Sequence, residues 1–520
     1  MVAQTRRRIS AAVPCLAWAI PDGVVISDPS SRHPARRSAV RSGLVTGLSL
    51  LAISGTAAAV GAILAQKFGR TAETDGFLAA YGVYLVLVLG AQSFRLVVLP
   101  ELTRAAQESR LGTETRGYLV SFTALAVVGS IAAVVLRHPL GDAITGSLPE
   151  ESSRVAASAL AYLVPAAFGQ LLAALAASAL AARDEYEIAA GGYAAGGIAG
   201  LVLFVVLADA HGPIALAWAT VLNSAVTFGV PFVALLLRRD LGGRRAPLDT
   251  RRRLWRLLEG SAVPIAIQGL YVVCLRFAAD LGVGKVTSLS YAYLIAAVFV
   301  AVTAASVALV SSAPLTRRGL DAETAAAHVV HSSWLSLALI AAAAGVFALV
   351  GGRVVEVVLG DAFSGDVGRQ LGRLVVYLVP WMFASVAYTL AFPLIFVVGR
   401  HGRLVPIALG AIAVHVPLTW ALSTAFEMTG IAAALAISTL LVLGMLLFSL
   451  APRVLTLTAL GLGRLAVVEA GLAAASFGLL ALVLGGIPAA IVGLVVYAVL
   501  IVAWRPRGLR DAWAYVRALH

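Results

Sequence analysis

A few charged and amide side chains interrupt long apolar stretches of this 520-residue chain, and its chemistry must be sought at those positions. Arg276 and Arg95 are the two cations inside such stretches. A guanidinium presents a planar fork of donors that matches a phosphate or a carboxylate, so each is a candidate contact for an acidic headgroup. Each also has a plainer reading. Arg276 stands four residues before Asp280, the spacing of an ion pair on one helix face, and a long side chain near a helix end reaches the interface easily. Arg95 lies five residues before Pro100, about 7.5 Å from the end of its stretch at 1.5 Å per residue. Gln268, Gln92, Asn223 and Gln170 are amides that either bind a substrate or hydrogen-bond between helices. His415 is able to titrate near neutrality or to pack inside its helix beside Pro417, and Glu469 reads as close to the inner end of the thirteenth stretch, snorkelling or paired.

Enzyme chemistry is missing from the inventory. The sequence has no metal-ligand cluster, nucleophile elbow or nucleotide loop, so no cofactor or metal is expected. The run Gly191, Gly192, Gly196, Gly197 and Gly200 lacks a following Lys-Ser or Lys-Thr, and its small-residue spacing fits close helix packing. Cys15 and Cys274 are far apart and in different settings, which indicates neither a disulfide framework nor a zinc site.

The elements that must position these residues are set by hydropathy. With 60% hydrophobic and 12% charged residues and a mean hydropathy of +0.93, the chain is far from the roughly 25% charged composition of soluble domains. A helix needs roughly 20 mainly apolar residues to cross a bilayer. Fourteen such stretches occur, at 43–65, 75–99, 117–136, 154–180, 186–208, 212–237, 259–280, 286–315, 328–350, 373–398, 404–424, 430–450, 463–484 and 487–504. The least marked divisions are at Asp209 to Pro213 and at Gly485, Gly486 and Pro488, where Gly and Pro supply the punctuation. Alternating strand patterns are absent, which argues against a barrel.

Of 39 Lys and Arg, 29 fall in the segments that share a side with the N-terminus and 8 in the opposite ones. The positive-inside rule then places both termini in the cytoplasm and the protein, as a multi-pass chain, in the cytoplasmic membrane. The net charge of +13 therefore reads as topology and lipid contact, not as a nucleic-acid surface. Its densest cluster is Arg238, Arg239, Arg244, Arg245, Arg251, Arg252, Arg253 and Arg256. Residues 1–42 read as a basic cytoplasmic tail, because the apolar run Ile9 to Ile20 lacks a small-residue cleavage site before Pro21.

A faint duplication organises the rest. Tyr162-Leu163-Val164-Pro165 returns as Tyr377-Leu378-Val379-Pro380, Pro100-Glu101-Leu102-Thr103-Arg104 as Pro314-Leu315-Thr316-Arg317, Arg183 as Arg400, and Gly212 as Gly430. An offset of six helices keeps both copies in the same orientation, a parallel repeat of the kind that frames a carrier's cavity. The expected fold is an all-α polytopic membrane protein of about fourteen transmembrane helices, two six-helix lobes plus a C-terminal pair. Its parts are a tail 1–42, an N-lobe 43–240, a basic linker 241–258, a C-lobe 259–452, a final pair 453–504 and a tail 505–520.

Gly61-Ala62-Ile63-Leu64-Ala65-Gln66-Lys67-Phe68-Gly69, then Thr74-Asp75-Gly76-Phe77 and later Pro100, resemble the opening of the MurJ/MviN lipid flippases of the multidrug/oligosaccharidyl-lipid/polysaccharide exporter superfamily. The resemblance implies an alternating-access flippase moving a lipid-linked oligosaccharide or envelope precursor, for peptidoglycan or polysaccharide. Membrane lipid, a polyprenyl-linked glycan and envelope-synthesis proteins are then the implied partners. It also implies cavity arginines that hold a lipid-linked diphosphate, and there the chain departs. Ile53 to Leu64 carries no charge, and the family's arginine segments are replaced by Tyr81-Gly82-Val83-Tyr84-Leu85-Val86 and Tyr291-Ala292-Tyr293-Leu294. The departure points to a divergent member with a different or less acidic cargo. A small-molecule antiporter of the MATE branch and a non-transporting membrane scaffold for envelope synthesis remain as alternatives.

Overall fold

The computed structural model describes residues 55–183, 185–238, 241, 249–318 and 321–504, and these are helical almost throughout. The expected tails 1–42 and 505–520 lie outside the described residues, as do Arg239, Arg244 and Arg245 of the basic cluster. The first half comprises α1 (55–68), α2 (Ala72–Gln107), α3 (Leu111–Val135), a short α4 (Arg137–Thr145), α5 (Glu150–Ala181), α6 (Tyr186–His211) and α7 (Ile214–Leu237). The second comprises α8 (Thr250–Ala279), α9 (Lys285–Arg318), α10 (Ala322–Leu359), α11 (Gly365–Tyr377), α12 (Val379–Val397) and α13 (Leu404–Leu450). Then come α14 (Pro452–Ala473), a π-helical turn at Ala474–Gly478, α15 (Leu479–Ala481) and α16 (Gly486–Trp504).

Eleven helices among the described residues are long and apolar enough to span a bilayer. One of them covers two expected stretches, because α13 breaks at Glu427, where φ is 49°. The divisions expected at Asp209 to Pro213 and at Gly485 to Pro488 coincide with the ends of α6 and α16. Two short helices, α4 and α11, are additional to the expected stretches, α11 overlapping the start of 373–398, and they cap the ends of longer helices. The helix faces turned away from neighbours are apolar: Val128 and Val135 on α3 and Val206 on α6 are largely exposed. Such a surface is unstable in water and suited to lipid, and helices satisfy their own backbone there. This is a multi-pass membrane protein.

The duplication is visible in the backbone. Left-handed turns occur at Gly69 and Gly284, at Gly146 and Gly360, and at Gly212 and Glu427, pairs separated by 215, 214 and 215 residues. All six lie at the arginine-poor end of the molecule. The counterpart of Gly212 is thus Glu427, three residues before the Gly430 that the sequence pattern suggested. Within the first lobe α5 packs against α2, α3 and α7, and within the second α12 packs against α9, α10 and α13. Helix α8 joins the lobes, lying against α13 on one side and α2 on the other, while α14 and α16 sit against α10.

Candidate functional site

The seam between the lobes is the candidate site, and it is built in three levels. At the arginine-poor end, Thr71 caps α2 by accepting from the Thr74 backbone N–H at 3.2 Å, which fixes the first turn and aims Asp75 across the seam. Asp75 is fully buried and belongs to the first lobe, yet it serves the second. Its carboxylate accepts from the Gly284 N–H, from the Thr287 N–H at 2.8 Å and from the Thr287 hydroxyl. It therefore caps the N-terminus of α9 from another lobe, where the helix dipole and unpaired N–H groups favour negative charge. Arg70 closes the same junction by donating to the Gly284 carbonyl at 3.0 Å and 3.2 Å. The neighbouring Gly76 has no room for a side chain, since a β-carbon would overlap the Ser152 carbonyl of α5.

Two further contacts extend this seal. Gln66 donates to the Val358 carbonyl at 3.2 Å. Arg276 pairs with Asp280 at 2.6 Å, Ser147 of the first lobe donates to Asp280 at 3.0 Å, and the Arg276 guanidinium lies against Gly146. Partial burial works against ionisation of Asp280, but the Arg276 and Ser147 hydrogen bonds outweigh it and hold the carboxyl below the usual carboxylate range.

The middle level is aromatic. Tyr271 and Tyr293 stack with ring centres 3.9 Å apart, Tyr293 contacts Trp381 at 4.7 Å, and Tyr81 and Tyr84 of the first lobe stack at 5.3 Å. Tyr84, Tyr271, Tyr293 and Trp381 belong to one buried cluster, with Tyr81 packed against it. The segments around Tyr81 and Tyr293 therefore contribute to the same buried core. The Tyr293 hydroxyl donates to Gln268 at 3.0 Å, and Tyr271 to Ser290 at 3.0 Å. Along one face of α12, at i, i+4 and i+7, Trp381, Ser385 and Tyr388 each carry a buried polar atom with no hydrogen-bond partner among the described residues. An unpaired buried donor costs about 1–3 kcal/mol, so three on one face form a polar strip awaiting a partner.

The arginine-rich end is closed by ion pairs. The first turns of α8 project beyond the seam, and Arg256 pairs with Glu101 of α2 while Arg253 pairs with Glu114 of α3 at 3.2 Å. Tyr118 donates to Glu101, and Arg253 also lies 5.3 Å from the Tyr118 ring centre, a cation–π contact. These residues line a cleft of about 470 Å³ together with Arg104, Glu108, Arg110, Asp249 and Arg252. Between the two ends α2 and α8 approach closely: Gly82 meets Leu275, Gly90 meets Ile265, and Gly260 meets Val97.

The residues singled out by sequence fall in several places. Gln268 is buried at the aromatic level. Arg276 stands at the arginine-poor end in the ion pair its spacing suggested. Arg95 is half-buried in α2. Asn223 accepts from Thr227 at 3.0 Å within α7 and faces Gly196 of α6, the geometry of helix packing. Gln170 is buried in α5, and the Gln92 side chain lies outside the described residues. His415 is fully buried, its Nε2 2.9 Å from the Leu270 carbonyl and its Nδ1 2.8 Å from Ser438. A carbonyl only accepts, so Nε2 carries hydrogen and the ring ties α8 to both halves of α13. Glu469 requires a correction: α14 starts at Pro452, earlier than the hydropathy suggested, so Glu469 lies deep in its helix and not near the inner end. In the sequence Asp75 stands out only as part of a motif. The available signal was an acidic residue inside an apolar stretch, one position after a Thr-x-x-Thr cap.

No family model and no curated protein matches the sequence. Solved structures share its fold. One described as the lipid II flippase MurJ in an inward closed conformation superposes with a TM-score of 0.68 at 14% identity, covering 90% of this chain and 99% of that one. An inward-facing multidrug-resistance MATE transporter of the MOP superfamily gives 0.57 at 16% identity, covering 79% and 99%. A MOP-superfamily transporter from Pyrococcus furiosus, described as having a binding pocket of reversed polarity, gives 0.57 at 14% identity, covering 83% and 96%.

Proposed function

We propose that this chain, which has the fold of the MOP-superfamily transporters and is similar in fold to MurJ, is an alternating-access carrier of a lipid-linked oligosaccharide or related envelope precursor in the cytoplasmic membrane. Its arginine-rich end would face the cytoplasm, together with both termini, and the α2–α8 seam would open alternately at its two ends. The observation that carries the reading is the middle of the seam: stacked tyrosines and Trp381 beside the unpaired polar strip of Trp381, Ser385 and Tyr388. Flat aromatic faces and unpaired polar groups suit the rings and hydroxyls of a sugar, and Gln268 lies within reach of the same cluster. A cargo held there is recognised with little help from guanidinium groups, unlike a lipid-linked diphosphate held by cavity arginines.

Depletion of the protein in its native cells tests the proposal. The expected result is accumulation of a lipid-linked glycan with its headgroup facing the cytoplasm, measured by accessibility to an added glycosidase. Unchanged precursor orientation would overturn it. The Trp381→Phe variant keeps the ring but removes the N–H, and about tenfold slower transport is expected if that donor touches cargo. The uncharged middle level also favours a second reading, export of small apolar molecules by a MATE-like antiporter. Altered efflux of such compounds with normal precursor orientation would select it.

A further inference from the structure

The C-terminal helix pair holds a carboxyl group that the carrier reading does not use. Glu469 of α14 is 1% exposed, and it lies 17 residues from Pro452 at one end of its helix and 12 from Ala481 at the other. At 1.5 Å per residue it is about 26 Å and 18 Å from those ends. Its surroundings are mostly apolar, with Trp334 Nε1 and Ser476 Oγ, unpaired among the described residues, buried in the same joint. Leu465, Trp334, Ala338 and Ile501 pack on one side, and Leu472, Phe477, Ala341 and Ala342 on the other.

Two hydrogen-bond contacts meet at the hydroxyl beside it. Glu469 Oε2 lies 2.5 Å from the Tyr497 hydroxyl of α16, and the same hydroxyl lies 3.0 Å from the Ala338 carbonyl of α10. Glu469 Oε1 is buried with no partner. Three oxygens stand in a row with two contacts between them, and two contacts need two hydrogens. The Ala338 carbonyl has none and the Tyr497 hydroxyl has one. The second belongs to the carboxyl. With Glu469 neutral the chain runs in one direction, Glu469 donating to Tyr497 and Tyr497 to Ala338, and the unpaired Oε1 is then a neutral carbonyl oxygen. With Glu469 ionised, Tyr497 would have to turn toward it, Ala338 would lose its second bond, and a charged oxygen would be left bare in the membrane interior, where a charge costs about 2.5–3.5 kcal/mol on insertion scales.

We infer that Glu469 is a proton-binding site in the membrane interior, and that its bound proton completes the hydrogen-bonded tie joining the α14–α16 pair to α10 of the second lobe. Among the described residues no ion pair reaches it. Helix α10 presents Ala338 and Trp334 there, with His331 two turns away; α16 presents only Tyr497; the π-helical turn presents Ser476. On α14 itself Arg464 is exposed, and α13 meets α14 around Leu446, Leu450 and Val454, away from His415 and Glu427. The apolar half of the joint is Phe477, seated between Gly345 of α10 and Gly493 of α16. Release of the proton would leave that steric contact and remove the polar one, so the pair would loosen from α10 without leaving it.

Infrared difference spectroscopy of the full chain in lipid nanodiscs tests the inference, with a pH titration as the perturbation. The spectrum of wild type minus Glu469→Gln at neutral pH is expected to contain a protonated-carboxyl C=O band, and Tyr497→Phe is expected to shift that band by removing its hydrogen-bond partner. A carboxylate band in its place would overturn the inference. If Glu469→Gln fails to fold, wild type minus Tyr497→Phe carries the same information, since a band that Tyr497 does not move is not the one in this chain. In a second measurement, the distance between spin labels on α10 and α16 is expected to lengthen in wild type at high pH and to stay constant in Glu469→Gln. Lengthening in both would also overturn it. Neither readout depends on the cargo.

Discussion

The two ends of the α2–α8 seam are closed by different physics. At the arginine-poor end one buried carboxylate, Asp75, meets three hydrogen-bond donors of the opposite lobe with no water between them. At the arginine-rich end the closure consists of Arg–Glu pairs whose side chains are mostly about a third exposed, beside an open cleft. The first is strong because its donors have no alternative partner once it breaks. The second is weak because water and salt replace each charge's partner at little cost. A seam built this way is held shut more firmly at the arginine-poor end than at the other.

The largest expected effect comes from removing the stronger closure. Asp75→Ala strands the Gly284 and Thr287 donors and should cost the closed form on the order of 3 kcal/mol, a roughly hundredfold shift in population. Spin-label distances across the arginine-poor end would report it, and an unchanged distribution would show that Asp75 is not the seal. Next is Gly260→Val, which forces a side chain into Val97 and should destabilise the seam by about 1–3 kcal/mol, read as a lowered unfolding midpoint in detergent.

A smaller effect is expected at the other end. Glu101→Gln should weaken that closure by about 1 kcal/mol at low salt and by less at high salt. Raising salt in wild type should mimic the substitution there while leaving the Asp75 end unmoved. Equal salt sensitivity at both ends would erase the contrast. The smallest effect belongs to the Arg276–Asp280 pair. Because the Asp280 carboxyl is held below its ordinary range, its contribution is fully present above about pH 4 and is lost only as pH falls through the lowered value. Distances at Gly146 should therefore stay flat from pH 8 to pH 5, and a change within that window would assign the pair a different partner.

The lobes are duplicates in backbone but not in chemistry. Adding the 215-residue offset to Asp75 leads to Ser290, which bonds Tyr271 within its own lobe and caps nothing across the seam. The repeat was readable from Tyr162-Leu163-Val164-Pro165 and its partner because short motifs survive at constant spacing. The asymmetry was not, because it depends on which helix ends up opposite Asp75. Similarly, Tyr81-Gly82-Val83-Tyr84 and Tyr291-Ala292-Tyr293 read only as missing arginines in the sequence. Their joining into one cluster with Trp381 required the fold.

By itself the sequence determined the solvent of this protein, its helices and the side on which its arginines collect, because hydropathy and charge act on each segment separately. It also announced the Arg276–Asp280 pair, since both partners lie on one helix. The tertiary structure decided the rest: that Asp75 caps a helix 209 residues away, that Trp381, Ser385 and Tyr388 are left unpaired, and that Glu469 meets the Tyr497 hydroxyl. In each of these the energy comes from the partner a buried polar group finds or lacks, and in an apolar chain that partner is chosen by helix packing.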